Sequence, residues 1–206
     1  MAEPKKKRLA KPAHEYVYVL RCVPANMQST NNFAWPESGP VACSDWDPKP
    51  ECGHGLHGWL WGEGDLSASG SVWQDEASRW LVVRVAASDV VHLDRKVKFP
   101  RGEVVFCGGR TEAAHRICEL GAQGAVHFAT RTAGHYGTAT AGYAGTATAG
   151  DGGTATAGDG GEIRIRWYDG KRYRLAVGYV GEDGIEANVP YVVRDGQLVK
   201  KEAANG

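Results

Sequence analysis

Thr138-Ala-Thr-Ala-Gly-Tyr-Ala-Gly145 is followed without a break by Thr146-Ala-Thr-Ala-Gly-Asp-Gly-Gly153 and Thr154-Ala-Thr-Ala-Gly-Asp-Gly-Gly161. Thr130-Arg-Thr-Ala-Gly-His-Tyr-Gly137 precedes them on the same template. A fixed period of this kind marks a repeat architecture in which each unit buries its face against its neighbours. Within an octad, Thr-x-Thr-Ala alternates with period two and reads as a short strand. The Gly-x-x-Gly after it reads as a corner, because glycine tolerates the positive φ of a tight turn. Strand and corner in alternation predict a short β-solenoid over residues 125–165.

Alternation also assigns the faces. Threonine hydroxyls cost little in water and much when buried unpaired, whereas alanine methyls lose nothing by burial. The expected outer face is therefore Thr138, Thr140, Thr146, Thr148, Thr154 and Thr156, with the intervening alanines as a thin core. Glu162 and Arg164 continue the outward positions, and Ile163 and Ile165 the inward ones. Arg131 occupies an inward position in the first octad, which places it where the stack meets another element.

These octads resemble half-coils of the bacterial ice-nucleation proteins, whose sixteen-residue coils carry the same Thr-x-Thr and Ala-Gly signatures. The resemblance implies a β-solenoid with outward threonine rows that order water. It covers residues 130–161, two coils in all. At about 4.8 Å per stacked strand, two coils make a wall only about 10 Å tall, too small to template ice. The fold is expected from the resemblance; the ice function is not.

Outside the octads the chain is globular in composition. It has 206 residues, 42% of them apolar, with seven Trp and eight Tyr, enough to bury a core. Lys plus Arg and Asp plus Glu are both 24, a net charge of zero, which argues against nucleic acid as a partner. No apolar run reaches the roughly 18 residues of a membrane span and no signal peptide opens the sequence, so no membrane association and a cytoplasmic location are expected. Five irregularly spaced cysteines fit reduced thiols. Pro4-Lys-Lys-Lys-Arg8 with Lys11 reads as a basic, disordered tail over residues 1–14.

Residues 15–124 read as an α+β head, mostly β with one clear helix. Tyr16–Cys22, Trp80–Val85, Val90–Leu93 and Glu103–Cys107 are predicted strands, and residues 23–40 a long loop. Thr111 to Leu120 is the helix, with Thr111 as its cap and Gly121 at its end. Asp169-Gly170 and Asp195-Gly196 are hairpin signals, so residues 166–206 read as a β-hairpin cap closing the solenoid.

Three constellations could carry chemistry. Cys43, Cys52, His54 and His57 supply the zinc donor types, but without a paired Cys-x-x-Cys knuckle; the other reading is a structural turn. The indoles of Trp35, Trp59 and Trp61 could line a pocket for a nucleotide-like ligand, or form ordinary core. The order Arg21, His57, Glu103 is similar to the ADP-ribosyltransferase layout. That resemblance implies that Arg21 anchors a phosphate or ribose, His57 lines a nicotinamide slot and Glu103 stabilises an oxocarbenium ion. The alternative leaves Arg21 and Glu103 facing solvent. Residues 15–109 also resemble a class of bacterial and phage head domains through Trp35-Pro36, Cys52 to Gly58, Trp61 to Asp65 and Lys98 to Glu103, which implies an architecture but no activity. Gly-Asp-Gly-Gly at 150–153 and 158–161 lacks the spacing of calcium-binding repeats, and no cofactor is expected.

The function expected from the sequence is a non-enzymatic binding or self-assembly module, forming a homo-oligomer through solenoid or strand edges. An ADP-ribosyltransferase-like enzyme or a nucleotide-binding head is the alternative.

Overall fold

A computed structural model describes residues 15–29 and 32–202. The basic run at residues 4–11 lies outside them. The first part is a seven-stranded antiparallel sheet with strand order β2-β7-β4-β1-β3-β6-β5. Its strands are β1 (Tyr16–Val23), β2 (Gly39–Ala42), β3 (Leu56–Leu60), β4 (Arg79–Ala86), β5 (Val91–His92), β6 (Val97–Phe99) and β7 (Arg101–Gly108). β1 and β4 lie at its centre, and both faces of each are covered, so their sequences are near-continuous apolar runs. Leu20, Cys22, Trp80 and Val82 point to one side, into a core with Ala113, Ala114 and Ile117 of the helix. Val19, Val23, Leu81, Val83 and Val85 point to the other, with Trp35, Val41 and Phe99.

β2 begins at the end of the stretch expected to be loop, residues 23–40, and runs two residues past it. It is an edge strand carrying Pro40, and an edge is where a residue without an N–H can join a sheet. The helix α1 spans Arg110–Glu119, one residue earlier than expected. Its N-cap is Gly109 rather than Thr111: the Glu112 carboxylate reaches back to accept from the Gly109 N–H at 2.8 Å. Its end follows the expected pattern. Gly121 (φ 110°) donates to the Cys118 carbonyl at 3.0 Å and Ala122 to that of Ile117 at 3.2 Å, a Schellman closure.

The octads supply β8 (Thr130–Ala133), β9 (Thr138–Thr140), β10 (Thr146–Ala149) and β11 (Thr154–Thr156), and β12 (Glu162–Tyr168) follows. β8, β10 and β12 pair in parallel, Thr130 with Thr146 and Thr146 with Glu162. β9 and β11 pair likewise, Thr138 with Thr154. Every partner is sixteen residues away, so successive octads alternate between two sheets. Between the sheets, Ala139, Ala141, Ala147, Ala149, Ala155, Ala157, Ile163 and Ile165 are at most 3% exposed.

The glycines act differently from the expectation. Each corner closes by an i to i+3 bond, for example Gly153 N–H to Gly150 O at 2.9 Å and Gly161 N–H to Gly158 O at 3.0 Å. Positive φ falls on the third corner residue, Tyr136, Ala144, Gly152 or Gly160, not on the two template glycines. Those two are required by stacking. A Cβ on Gly150 would lie 2.6 Å from the Gly134 carbonyl carbon, and one on Gly153 would lie 2.8 Å from Gly137 O. The template therefore records the closeness of one corner to the next.

The threonines take the outer positions with one correction. Thr138 is exposed and Thr140, Thr146, Thr148 and Thr156 are part-exposed, but Thr154 is buried. Its hydroxyl accepts from Lys201 Nζ at 3.2 Å, because the C-terminal segment folds over it. Two hairpins close the stack. β13 (Tyr173–Tyr179) pairs antiparallel with β12, and β14 (Tyr191–Arg194) pairs antiparallel with β11 and with β15 (Gln197–Lys200). Asp195 and Gly196 both have positive φ in a two-residue turn, as the sequence signals; the Asp169 turn spans four residues instead.

At the other end, residues 126–129 already follow the sixteen-residue ladder: Phe128 N–H donates to Tyr143 O at 2.8 Å and Gly142 N–H to Val126 O at 2.9 Å. Arg131 reaches out of the first octad to the carbonyls of Ala122 (3.0 Å) and Gln123 (3.3 Å), just beyond α1.

Two substitutions separate stacking from turn conformation. Gly150→Ala should lower stability by about 1–3 kcal/mol through overpacking, although its φ is ordinary. Ala144→Gly, at φ 48°, should be neutral or gain up to about 1 kcal/mol, as relief of left-handed strain offsets added chain entropy. Urea unfolding of both variants checks the pair.

Candidate functional site

Two features of the described residues stand out: a cleft on one side of the seven-stranded sheet and an apolar stripe on β13.

The cleft has a volume of about 850 Å³ and lies where β1 and β3 meet residues 24–29, 32–34 and 43–55. Arg21 comes from the middle of β1, opposite Leu81 in register, among residues that are otherwise apolar. Its guanidinium carbon sits 5.5 Å above the ring centre of Trp35, whose indole N–H donates to the Ser29 hydroxyl at 3.1 Å. Arg21 Nε is sealed from solvent and has no hydrogen-bond partner. Burial lowers the guanidinium pKa, against a smaller opposing effect of Cys22. His57, on β3 opposite Lys98, also lines the cleft, and its Nε2 is likewise sealed and without a partner. Burial, and then the charges of Lys96 and Arg21, push the His57 pKa down to about 4, while a backbone hydrogen bond at Gly55 works in the other direction.

Arg21 and His57 thus share one cleft, and Glu103 does not join them. Between Val82 and Val83 the pairing of β4 with β7 slips by one residue, so that Val82 faces Phe106 but Val83 faces Val104. The bulge sets Glu103 opposite Arg84, on the helix side of the sheet, while Arg21 projects from the other side. There the Glu103 carboxylate pairs with the Arg84 guanidinium, which lies over the Tyr16 ring at 5.1 Å. The three residues of the ADP-ribosyltransferase-like layout do not converge.

The Cys/His set is dispersed too. Cys43, Cys52, His54 and His57 all line the cleft, but no group of three or more His, Cys, Asp or Glu among the described residues is placed to hold a metal. Cys43 Sγ–H donates to Pro100 O at 3.2 Å, Cys52 is exposed, and His54, at φ 48°, has its Nδ1 3.7 Å from Asp45.

Of the three indoles, Trp35 alone borders the cleft. Trp59 is core: it stacks on Trp80 at 5.9 Å and donates to Asp65 O at 2.9 Å. Trp61 packs edge-on against Tyr18 at 5.6 Å on the helix side. The residue that sequence reasoning passed over is Lys96, a second cation of the cleft wall, whose ammonium donates to the Ala68 carbonyl at 3.3 Å. Its signal was slight, a lysine in a polar turn.

The second feature is β13. Tyr173, Leu175, Val177 and Tyr179 alternate along it and are 43 to 53% exposed. They lie opposite Tyr168, Arg166, Arg164 and Glu162, and so share a face with the outward rows Thr146–Thr130 and Thr148–Thr132. Arg166 stands 4.1 Å over the Tyr173 ring. β13 is also the last strand of its sheet, with one side open.

The His57 shift gives a pH dependence with a definite sign. The folded pKa of about 4 lies below the ordinary value, so the unfolded chain binds the extra proton first. Stability is full above about pH 6.5 and falls as the pH drops from there toward 4. The buried His127 ring, also shifted down by burial, adds to the loss in the same sense. Urea unfolding at neutral and mildly acid pH should show a shallower loss for His57→Asn than for the native chain; equal slopes would count against it.

The family described as "Domain of unknown function (DUF7666)" matches residues 17–116, the first sheet and most of α1. The match does not extend to the bacterial and phage head-domain class. The chain is 43% identical over 101 residues to an ice nucleation protein of Pseudomonas syringae, an alignment covering 48% of this chain and 8% of the relative. It is 38% identical over 101 residues to the ice nucleation protein of Xanthomonas campestris pv. translucens, covering 48% of this chain and 6% of the relative. One from Pantoea ananas is 36% identical over 99 residues, with 47% and 9% covered. The chain therefore spans less than a tenth of the length of each relative. No solved structure matches it. Among the described residues no helix is long and apolar enough to cross a membrane. About half of the chain is thus similar to the ice-nucleation repeat proteins.

Proposed function

We propose that this chain is a non-enzymatic self-assembly module in which a short β-solenoid, residues 125–165, is displayed between a head and a hairpin cap. The sixteen-residue parallel ladder and its sealed alanine core support the solenoid reading. The observation that carries assembly is the open β13 edge with its apolar stripe. Unpaired strand edges invite a further strand, and soluble proteins ordinarily blunt them with charge. Here the outward positions are Tyr173, Leu175, Val177 and Tyr179 instead.

The occupant that fits is a second copy. β13 is self-complementary about Ala176: antiparallel pairing through a two-fold axis there sets Tyr173 against Tyr179 and Leu175 against Val177 of the other copy. Such a pairing is isologous and closes at two subunits. It would join the β8-β10-β12-β13 sheets of both copies into eight strands, about 34 Å across at about 4.8 Å per strand. Two short threonine arrays would then stand on one surface.

Light scattering over a concentration series should show a mass of twice 22.1 kDa. Leu175→Lys should return the protein to a monomer without lowering its melting temperature, since Leu175 is 53% exposed. A native chain that stays monomeric throughout, or a lysine variant that dimerises undiminished, overturns the proposal.

A further inference from the structure

The cleft around Arg21 is unexplained by assembly, and its chemistry is specific. A guanidinium in the central strand of a sheet is costly to desolvate unless an anion or hydrogen bonds compensate it. Among the described residues Arg21 has no such bond; it has the Trp35 face below it and a cavity beside it. Of the acidic side chains among the described residues, Asp45 alone borders the cavity, and it is engaged elsewhere: it accepts from Gly55 N–H at 3.2 Å and stands 3.7 Å from His54. With Lys96 also in the wall, the cleft carries two cations against one occupied carboxylate among the described residues.

His57 adds a second requirement. The ring lines the cleft and stays neutral near pH 7, and its Nε2 has no hydrogen-bond partner among the described residues. A neutral imidazole offers one donor and one acceptor nitrogen, and a hydroxyl can do either, so a hydroxyl satisfies the ring in both tautomers. The two orphans therefore ask for different things: Arg21 for an anion, His57 for a neutral hydroxyl. One small molecule that carries both is a phosphorylated sugar. The volume of about 850 Å³ exceeds what a pentose phosphate needs and lies within the range of cofactor-sized sites. Phe33, edge-on to Trp35 at 5.5 Å, adds an aromatic wall suited to a base.

We propose that this cleft is a binding site for a ribose phosphate, free or as part of a nucleotide, with Arg21 holding the phosphate and His57 hydrogen-bonded to a sugar hydroxyl. The site is independent of the assembly reading, because the cleft and β13 belong to different sheets.

Calorimetric titration of the full chain with adenosine 5′-monophosphate, ribose 5-phosphate, adenosine and inorganic phosphate tests it. Saturable binding of the monophosphate below about 1 mM is expected, with adenosine and inorganic phosphate each weaker by about tenfold or more. Ribose 5-phosphate equal to the monophosphate identifies a sugar-phosphate site; a clear advantage for the monophosphate identifies a nucleotide site. Arg21→Gln should abolish the binding while leaving the ligand-free melting temperature unchanged or raised, because it removes an uncompensated cation. Should that variant fail to fold, His57→Leu should weaken both sugar phosphates and leave inorganic phosphate unaffected. No binding of either sugar phosphate, equal binding of adenosine or of inorganic phosphate alone, or full affinity in the variants overturns the proposal. The titration repeated in Leu175→Lys keeps the result separate from dimerisation.

Discussion

Contact between one glycine corner and the next governs the octad stack. Because Gly150 lies on Gly134 and Gly158 on Gly142 with no room for a Cβ, successive rungs sit at full backbone contact along their corners. That spacing lets Thr130, Thr146 and Glu162 pair as one column. The same closeness limits what fits between the two sheets, and methyl groups are what the sequence provides there until Ile163 and Ile165 widen the last rung. An alanine core buries little apolar surface per residue, so such a stack draws on its neighbours for stability.

Those neighbours are attached by polar groups placed with care for hydrogen bonding. His127 accepts from Tyr143 N–H at Nδ1 (3.2 Å) and donates from Nε2 to Gly64 O (3.0 Å), so its neutral ring ties the first rung to the loop after β3. Arg131 satisfies carbonyls exposed beyond α1, while Phe128 and Tyr143 extend the helix-side core toward the octads. At the far end the Tyr191 hydroxyl accepts from Glu186 N–H and donates to Gly184 O, which fixes the loop that leads into β14.

Much of this was legible in the sequence because it depends on local period. The alternation Thr-x-Thr-Ala gave walls and inward alanines, Asp195-Gly196 gave a hairpin, Gly121 gave the helix end, and Arg131 at an inward position marked the stack boundary. What was not legible depends on pairing between distant strands. A one-residue slip between Val82 and Val83 turns Glu103 away from Arg21, and no pattern around Glu103 records it. Thr154 follows its template yet is covered by Lys201, a residue forty-seven positions on. Trp59 and Trp61, two residues apart on either side of Leu60, look like ligand platforms, yet Trp59 is core and Trp61 packs half-buried against it, because their strand end is roofed by the helix-side cluster.

The alternation of octads between two sheets has a consequence for how such a gene can change length. Removing or adding a single eight-residue unit would deliver every later strand to the wrong wall, setting β12 against β9 after a loss or against β11 after a gain, and breaking its match to the closing hairpins. Units must therefore be gained or lost in pairs. Slippage during replication yields viable variants only in steps of forty-eight nucleotides, and a population of such genes would show lengths quantised accordingly.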